Sequence, residues 1–522
     1  RGRPMALRVT PLGAGRQVGR SCVLLEIAGR RVLLDCGISP GSRDAAHYPE
    51  LEALAAGGKS MTEALDLVVI SHFHLDHVGA LPYLTEELGY RGPVLMTHPT
   101  RAISPVLIRD YLHIGERERR SHIRIRPEAI EPCFDRVTCM QLRERVVIGD
   151  LAVTPHYAGH VLGAVMVMIE CRGRSALYTG DFTMVTDHYL SAARLPFGLR
   201  PDVMITETTC CTTIRSSKRA KEQDLCRKIQ ETLEGGGKVL LPIFMIGRAQ
   251  EICLLLEKHW ERAQLDFPIY IMRGMAERAV TFFRLFSSWA SDRVRKTEDP
   301  FNFAHISLVD SEAVINDDRP MVIFAGPAML QGGASLRLFR KLAPDRKNML
   351  VFAGYCLPGT LGNDVQARVK RVNAEGEDVD VRCIVDYMSH SDHTDSRGIM
   401  LLISQVTPRH VVLVHGADKL MEVFAPMVTR TLGIPCNAPA VGATVDLGGG
   451  DPAVGVLASM ALLRAARPVP APPLPLNPRL DRAPVCLPAC ASFSGVLVRR
   501  KRGAAEALEL VAREGLGPAL AG

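Results

Sequence analysis

Hydrophobic positions between residues 6 and 208 fall in short runs split by Gly, Pro and Asp: Cys22–Ile27, Arg31–Leu34, Leu67–Ile70, Val94–Met96, Ala164–Ile169, Ala176–Tyr178 and Val203–Ile205. The runs are rich in Leu and β-branched residues and too short for helices, so they predict strands. Ala80–Leu88 has helical spacing between two of them, which gives an α/β or α+β pattern. From about residue 215 the texture changes. Ser217–Leu233 is spaced as a helix, Gly235-Gly236-Gly237 punctuates, Lys238–Leu241 reads as a strand and Gly247–Trp260 as a longer helix. The alternation runs to about 385 through Met321–Ala325 and Met349–Ala353, predicting a second α/β domain. Short strand runs return over 383–450, notably Val411–Val414. Beyond Leu447, residues 450–490 read as a linker with a Pro-rich stretch at 467–484, and Val496–Leu516 predicts a short strand plus a helix. There are no internal repeats.

Apolar residues make up 47% of the 522, enough to bury a sizeable core in two to four domains of ~150 residues. That excludes a wholly disordered chain, a collagen and a small disulfide scaffold. No uncharged apolar run approaches the ~18 residues of a membrane helix. Ala453–Leu463 comes nearest and stops at Arg464. Lys+Arg 63 against Asp+Glu 56 leaves +7, a mild excess compatible with a polyanionic substrate. Fourteen cysteines with no CxxC pair, two of them adjacent at Cys210-Cys211, read as reduced thiols of a cytosolic or nuclear protein. No secretory signal precedes the first strand, and Arg1-Gly2-Arg3-Pro4 before Met5 reads as a fragment end or an upstream extension.

The strongest chemical signal follows the strand Leu67–Ile70: Ser71-His72-Phe73-His74-Leu75-Asp76-His77. Two imidazoles at i and i+2 on extended chain face one side. Asp76 and His77 then follow on the turn into a helix, so they can face a second ion. Imidazole with carboxylate suits zinc, with Mn or Fe as alternatives. Other polar groups end apolar runs in the same way: Asp35, His160, Asp181, Glu207, His393 and His415. Singly they read as turn or capping residues; together with HxHxDH they read as a site on one rim of a sheet. Gly13-Ala14-Gly15-Arg16-Gln17-Val18-Gly19 is no dinucleotide loop, because Val18 replaces its last Gly and a strand, not a helix, follows. Gly235-Gly236-Gly237-Lys238 lacks P-loop spacing. Basic clusters at Arg117–Arg126 and Arg215–Lys221 read either as phosphate tracks or as solvated helix faces, and Arg499–Arg502 as an RNA or nuclear-import patch.

Asp35, the HxHxDH block, His160, Asp181 and His415 resemble, in order, the motifs of the metallo-β-lactamase fold. Glu207, His393 and His415 resemble the three further motifs of its β-CASP branch, whose members process nucleic acids. The stretches Thr10–Ser21, Ile70–Pro82, Met96–Ala102, Ala158–Ala164, Thr212–Arg219, Gly247–Glu251 and Gly354–Thr360 extend the resemblance over about residues 6–447. It implies an αββα sandwich with an inserted α/β domain. The expected boundaries are 6–208 for the first part of the metallo-β-lactamase domain, 209–392 for the β-CASP domain and 393–450 for the return segment. Residues 451–522 would be a Pro-rich linker and a short, truncated C-terminal region.

The resemblance further implies two zinc ions, one held by His72, His74 and His160 and the other by Asp76, His77 and His415. Asp181 would bridge them and Asp35 would orient ligands. It implies an RNA endonuclease in which His393 protonates the leaving oxygen, Glu207 orients His393, and Asp76 and Asp35 belong to the catalytic set. The expected products carry a 5′-phosphate and a 3′-hydroxyl. Expected partners are RNA, an inactive paralogous subunit and other subunits of a transcript-processing assembly. The expected compartment is the nucleus, with the cytoplasm as a second location. An exonuclease, a DNA or small-ester hydrolase, and a catalytically silent scaffold are the competing readings. The chain departs from the family at Asp392 beside His393, at Cys210 where a Tyr is usual, and at Gly326-Pro327-Ala328. Asp392 either raises the pKa of His393 or faces solvent.

Overall fold

The computed structural model describes residues 6–448 apart from positions 41, 43–44, 56, 118–121, 216–217, 245, 274, 311–313, 315, 355, 357–358 and 389–392, and beyond 448 only five short strands. Among the described residues, twenty-two strands precede residue 449. The first eleven are β1 Leu7–Gly13, β2 Cys22–Ile27, β3 Arg30–Leu34, β4 Leu67–Val69, β5 Val94–Thr97, β6 Val137–Met140, β7 Val146–Ile148, β8 Leu151–Tyr157, β9 Val165–Cys171, β10 Arg174–Tyr178 and β11 Val203–Glu207. The next eight are β12 Val239–Pro242, β13 Ile269–Met272, β14 Ile306–Val309, β15 Val322–Ala325, β16 Met349–Phe352, β17 Arg371–Ala374, β18 Glu377–Asp380 and β19 Ile384–Tyr387. The last three are β20 His410–Val414, β21 Cys436–Asn437 and β22 Val445–Asp446.

Two seven-stranded sheets, ordered β22-β1-β2-β3-β4-β5-β6 and β21-β20-β11-β10-β9-β8-β7, face each other. The alternation along β2 shows why these strands are apolar on both faces. Val23, Leu25 and Ile27 join Val153, Val165, Val167 and Ile205 of the second sheet in one core, while Cys22 and Leu24 join Ile108, Leu112 and Phe134 of outer helices in another. Helices Ser396–Val406 and Asp418–Leu432 contribute Ile399, Leu402, Phe424 and Val428 to the core of the second sheet. This is the expected αββα sandwich.

The inserted domain is a parallel six-stranded sheet, β14-β13-β15-β12-β16-β19. One face packs Val239, Leu241, Phe324 and Val351 on Ile229, Ile252 and Trp260; the other packs Leu240, Ile323 and Phe352 on Leu336 and Phe339. The chain leaves the sandwich after β11 and re-enters at β20, which pairs in parallel with β11 from Val203↔His410 to Glu207↔Val414. Tyr189 and Tyr157 of the sandwich reach the insert, their hydroxyls donating to Phe283 O at 2.9 Å and Trp289 O at 3.0 Å.

Two elements differ from the sequence pattern. The helix His98–Arg117 has 20 residues, yet Pro99 and Pro105 interrupt its spacing and the sequence pattern predicts no helix there. At the far end, Val496–Arg502 pairs antiparallel with Ala505–Val511, so the helix expected within 496–516 is a strand over those residues. Only two residues, Gly503-Ala504, separate the strands, a hairpin spacing, and cross-strand pairing overrides the helix propensity of Ala, Glu and Leu. Among the described residues no helix is long and apolar enough to cross a membrane.

Candidate metal centre

Seven potential metal ligands converge at the carboxyl ends of the strands. β4 runs into an extended segment in which Phe73 is buried in the inter-sheet core, so His72 and His74 face away from it. His74 then precedes the single-turn helix Leu75–Val78 that carries Asp76 and His77. His160 lies between β8 and β9, Asp181 follows β10, and His415 follows β20. Asp35, His160 and His415 all take positive φ, as the chain turns sharply where strands end. Gly180 precedes Asp181 at φ 51°, and a Cβ there would fall 2.6 Å from Ser71 Cβ.

Two donor sets meet at one carboxylate. His74 Nδ1 lies 3.1 Å from His72 Nε2 and 3.2 Å from His160 Nε2, and each of those nitrogens is 3.7 Å from Asp181 Oδ2. Asp76 Oδ2 lies 3.2 Å from His415 Nε2 and 3.9 Å from His77 Nε2. Asp181 touches this second set as well, with Oδ2 3.2 Å from His77 Nε2 and Oδ1 3.6 Å from His415 Nδ1.

The outward hydrogen bonds fix which ring nitrogen faces in. Asp35 accepts from Ser71 N (2.6 Å), Ser71 Oγ (2.7 Å), Tyr178 OH (2.7 Å) and His77 Nδ1 (2.7 Å). A carboxylate only accepts, so the His77 proton sits on Nδ1 and Nε2 faces the centre. Ser71 spends its hydrogen on Asp35, so it accepts from His72 Nδ1 at 3.0 Å. Thr209 Oγ1 donates to His415 O and accepts from His415 Nδ1 at 2.9 Å. Each of the three rings thus turns Nε2 inward, the arrangement of metal-bound histidines.

These residues fit divalent metal ions. His72 Nε2 and His160 Nε2 both lie within 3.2 Å of His74 Nδ1, and these three nitrogens cannot all carry protons. Burial together with the neighbouring rings pushes His72 well below its usual range and His74 down to about 3, so both are neutral and ready to ligate. Burial alone would raise Asp181, but His77, His415 and His393 hold it well below the carboxylate range. Its Oδ1 is nevertheless buried without a hydrogen-bond donor, an acceptor that a cation would satisfy.

Glu207 and His393 form a third group. Glu207 Oε1 accepts from Phe182 N at 2.9 Å, and Oε2 lies 2.8 Å from His393 Nδ1. His393 Nδ1 is also 3.6 Å from Asp181 Oδ2, and its ring stands 4.8 Å from that of His160 and 6.0 Å from that of His415. Burial lowers the affinity of His393 for its proton, yet Glu207 and Asp181 prevail and raise its pKa to about 10. Cations at the neighbouring donor sets would bring it back toward neutrality.

The folded chain brings Asp35, His72, His74, Asp76, His77, His160, Asp181, Glu207, His393 and His415 together. Ser71, Tyr178 and Thr209 complete the site and are invisible in the sequence pattern, because only the folded sheets bring them to Asp35 and His415. Asp392, with the rest of 389–392, lies outside the described residues.

This is the centre of a metal-dependent hydrolase on a metallo-β-lactamase fold. Residues 15–214 match the metallo-beta-lactamase superfamily, 249–365 the Beta-Casp domain and 378–439 the Zn-dependent metallo-hydrolase RNA specificity domain. The Gallus gallus protein "Integrator complex subunit 11" is 44% identical over 463 residues, 88% of this chain and 76% of that relative. The Arabidopsis thaliana "Cleavage and polyadenylation specificity factor subunit 3-II" is 39% identical, over 85% of this chain and 73% of that relative. A solved structure from Enterococcus faecalis V583, itself described as of unknown function, superposes at TM-score 0.51 with 12% identity over 84% of this chain and 100% of that one, and shares the fold. The chain belongs to the metallo-β-lactamase/β-CASP family of metal-dependent hydrolases, in the branch of Integrator subunit 11 and its cleavage-factor relatives.

Proposed function

We propose that the chain is an RNA endonuclease with two zinc ions, acting on nascent transcripts as the catalytic subunit of an Integrator-like complex. His72, His74 and His160 would hold one ion, Asp76, His77 and His415 the other, with Asp181 between them. Bound there, the ions supply Lewis acidity, lowering the pKa of water and neutralising charge on the phosphoryl group. Asp35 keeps the His77 and Ser71 hydrogens pointed outward. His393, held protonated by Glu207, gives its proton to the departing 3′-oxygen, so the products are a 5′-phosphate and a 3′-hydroxyl. Its partners would be RNA, an inactive paralogous subunit similar to Integrator subunit 9, and further subunits. It would act in the nucleus, with the cytoplasm as a second compartment.

The observation that carries this reading is the 2.8 Å contact of Glu207 with His393 beside Asp181. It adds a proton donor to the metal ligands, which a small-ester hydrolase does not require. The test pairs native mass spectrometry with cleavage of matched circular and linear RNAs. Two zinc ions per parent chain, fewer in Asp181→Ala, and nicking of the circular RNA are expected. A circular RNA that survives while the linear one is degraded makes the chain an exonuclease. The similarity to the Arabidopsis factor supports a second assembly, the pre-mRNA polyadenylation machinery, which precursors carrying a polyadenylation site would distinguish from small nuclear RNA precursors.

A further inference from the structure

The chain crosses between the sandwich and the insert twice beside His393, outbound near 208–215 and inbound near 393–396. The two crossings are bonded to each other. Ser396 N donates to Thr213 O at 3.1 Å, and Arg215 N donates to Asp395 Oδ2 at 3.1 Å. Asp395 in turn caps the helix Ser396–Val406 by accepting from Gly398 N at 3.0 Å. The Arg215 guanidinium spans what remains, with Nη1 donating to His393 O at 2.5 Å and Nη2 lying 2.8 Å from Cys210 Sγ. From the opposite side Phe182 O accepts from Thr394 N at 2.8 Å, and Phe182 N holds Glu207.

We infer that Arg215 is a positioning residue for His393, fixing the backbone that carries the imidazole while Glu207 fixes the ring. Phe182 grips the segment one residue after His393, and Arg215 holds the His393 carbonyl. The planar fork matters, because one nitrogen holds the carbonyl while another spans to Cys210 on the outbound crossing. A short side chain would leave the His393 carbonyl without this donor and free the imidazole to shift. A displacement of ~1 Å in a reacting group costs up to ~100-fold in rate. Arg215 thus acts through His393. The inference rests on the reading of His393 as proton donor.

The test uses the full zinc-loaded chain, two substrates and Arg215→Ala, Arg215→Lys and His393→Ala. RNA needs a proton on its leaving oxygen; bis(p-nitrophenyl) phosphate does not. Arg215→Ala is expected to lower kcat on RNA ~10–100-fold with KM within about twofold, and to change the rate on the activated diester by less than about threefold. Arg215→Lys, keeping the charge without the fork, is expected to recover part of the loss at an unchanged metal count. In the His393→Ala background, Arg215→Ala should remove nothing more. Equal losses on both substrates, no loss on RNA, or a further loss in the His393→Ala background would each overturn the positioning role. His393→Ala that cleaves RNA at the parent rate would instead overturn the reading of His393 on which it rests.

Discussion

Asp35 receives four donors on two oxygens, and three of them come from Ser71, which bonds to His72, and from His77, itself a potential ligand. Asn at this position turns an NH2 group toward N–H or O–H donors and breaks the order that leaves His72 and His77 Nε2 facing inward. Asp35→Asn is therefore expected to fold but to bind its divalent metal ~10–100-fold more weakly, read by titration against a competing chelator. At this scale much of the centre was legible. HxHxDH places four donors within six positions, and the remaining acids and imidazoles each end an apolar run. Ser71, just before the motif, carries no ligand group, and Tyr178 ends a strand run. Their roles arise from pairing between elements more than 30 residues apart, which local periodicity cannot carry.

The helix Leu75–Val78 has a single turn, so its position depends on bonds from its neighbours. Ser21 N donates to Asp76 O at 2.7 Å, Cys36 N to His77 O at 2.8 Å and Ile38 N to Leu75 O at 2.9 Å. Gly37 sits against the same turn, where a Cβ would fall 1.8 Å from Asp76 O. Backbone gives way less readily than a side-chain tip, so Gly37→Ala is expected to displace Asp76 and His77 and, on the two-ion proposal, to lose one metal per chain while the other stays. Native mass spectrometry checks it; two retained ions would mean that the turn moves freely. The glycine-rich segment 13–19 has a similar explanation. A Cβ on Gly15 would meet Val441 N at 2.6 Å, so that Gly permits close approach of the return segment. The strands were legible because burial on both faces writes them as apolar runs. The helix His98–Arg117 was not, since prolines hide its period, and the terminal hairpin was misread because its residues favour helices until a partner strand is present.

The junction of sandwich and insert carries its own titratable group. Asp187 Oδ1 accepts from Tyr189 N at 2.6 Å and from Leu190 N, while burial and the nearby Glu251 push its pKa up to about 7. A carboxyl held protonated in the fold but ionised when unfolded stabilises fully below its ordinary pKa of 3.8, and the contribution fades as pH rises through about 7. Asp187→Asn keeps the neutral form, so its stability advantage over the parent should grow from pH 4.5 to 7.5 in urea unfolding. A constant difference would show that Asp187 is ionised throughout. Beside it, Phe283 is buried with its ring 4.7 Å from that of Tyr189. Phe283→Ala is expected to cost ~3–5 kcal/mol and to weaken docking of the insert, seen as a second transition on melting. That there are two α/β units was legible from the change of texture near 215. How they dock was not, because Tyr157, Tyr189 and Phe283 belong to no periodic pattern. The late return of β20 has a consequence for synthesis. β11 emerges from the ribosome about 200 residues ahead of its neighbour, and at ~5–20 residues per second its outer edge stays unpaired for some 10–40 s. Through that interval the nascent sandwich exposes an open strand edge that invites aggregation, and the centre lacks His415. A cell making this nuclease thus holds an incomplete and vulnerable chain until His415 has been translated.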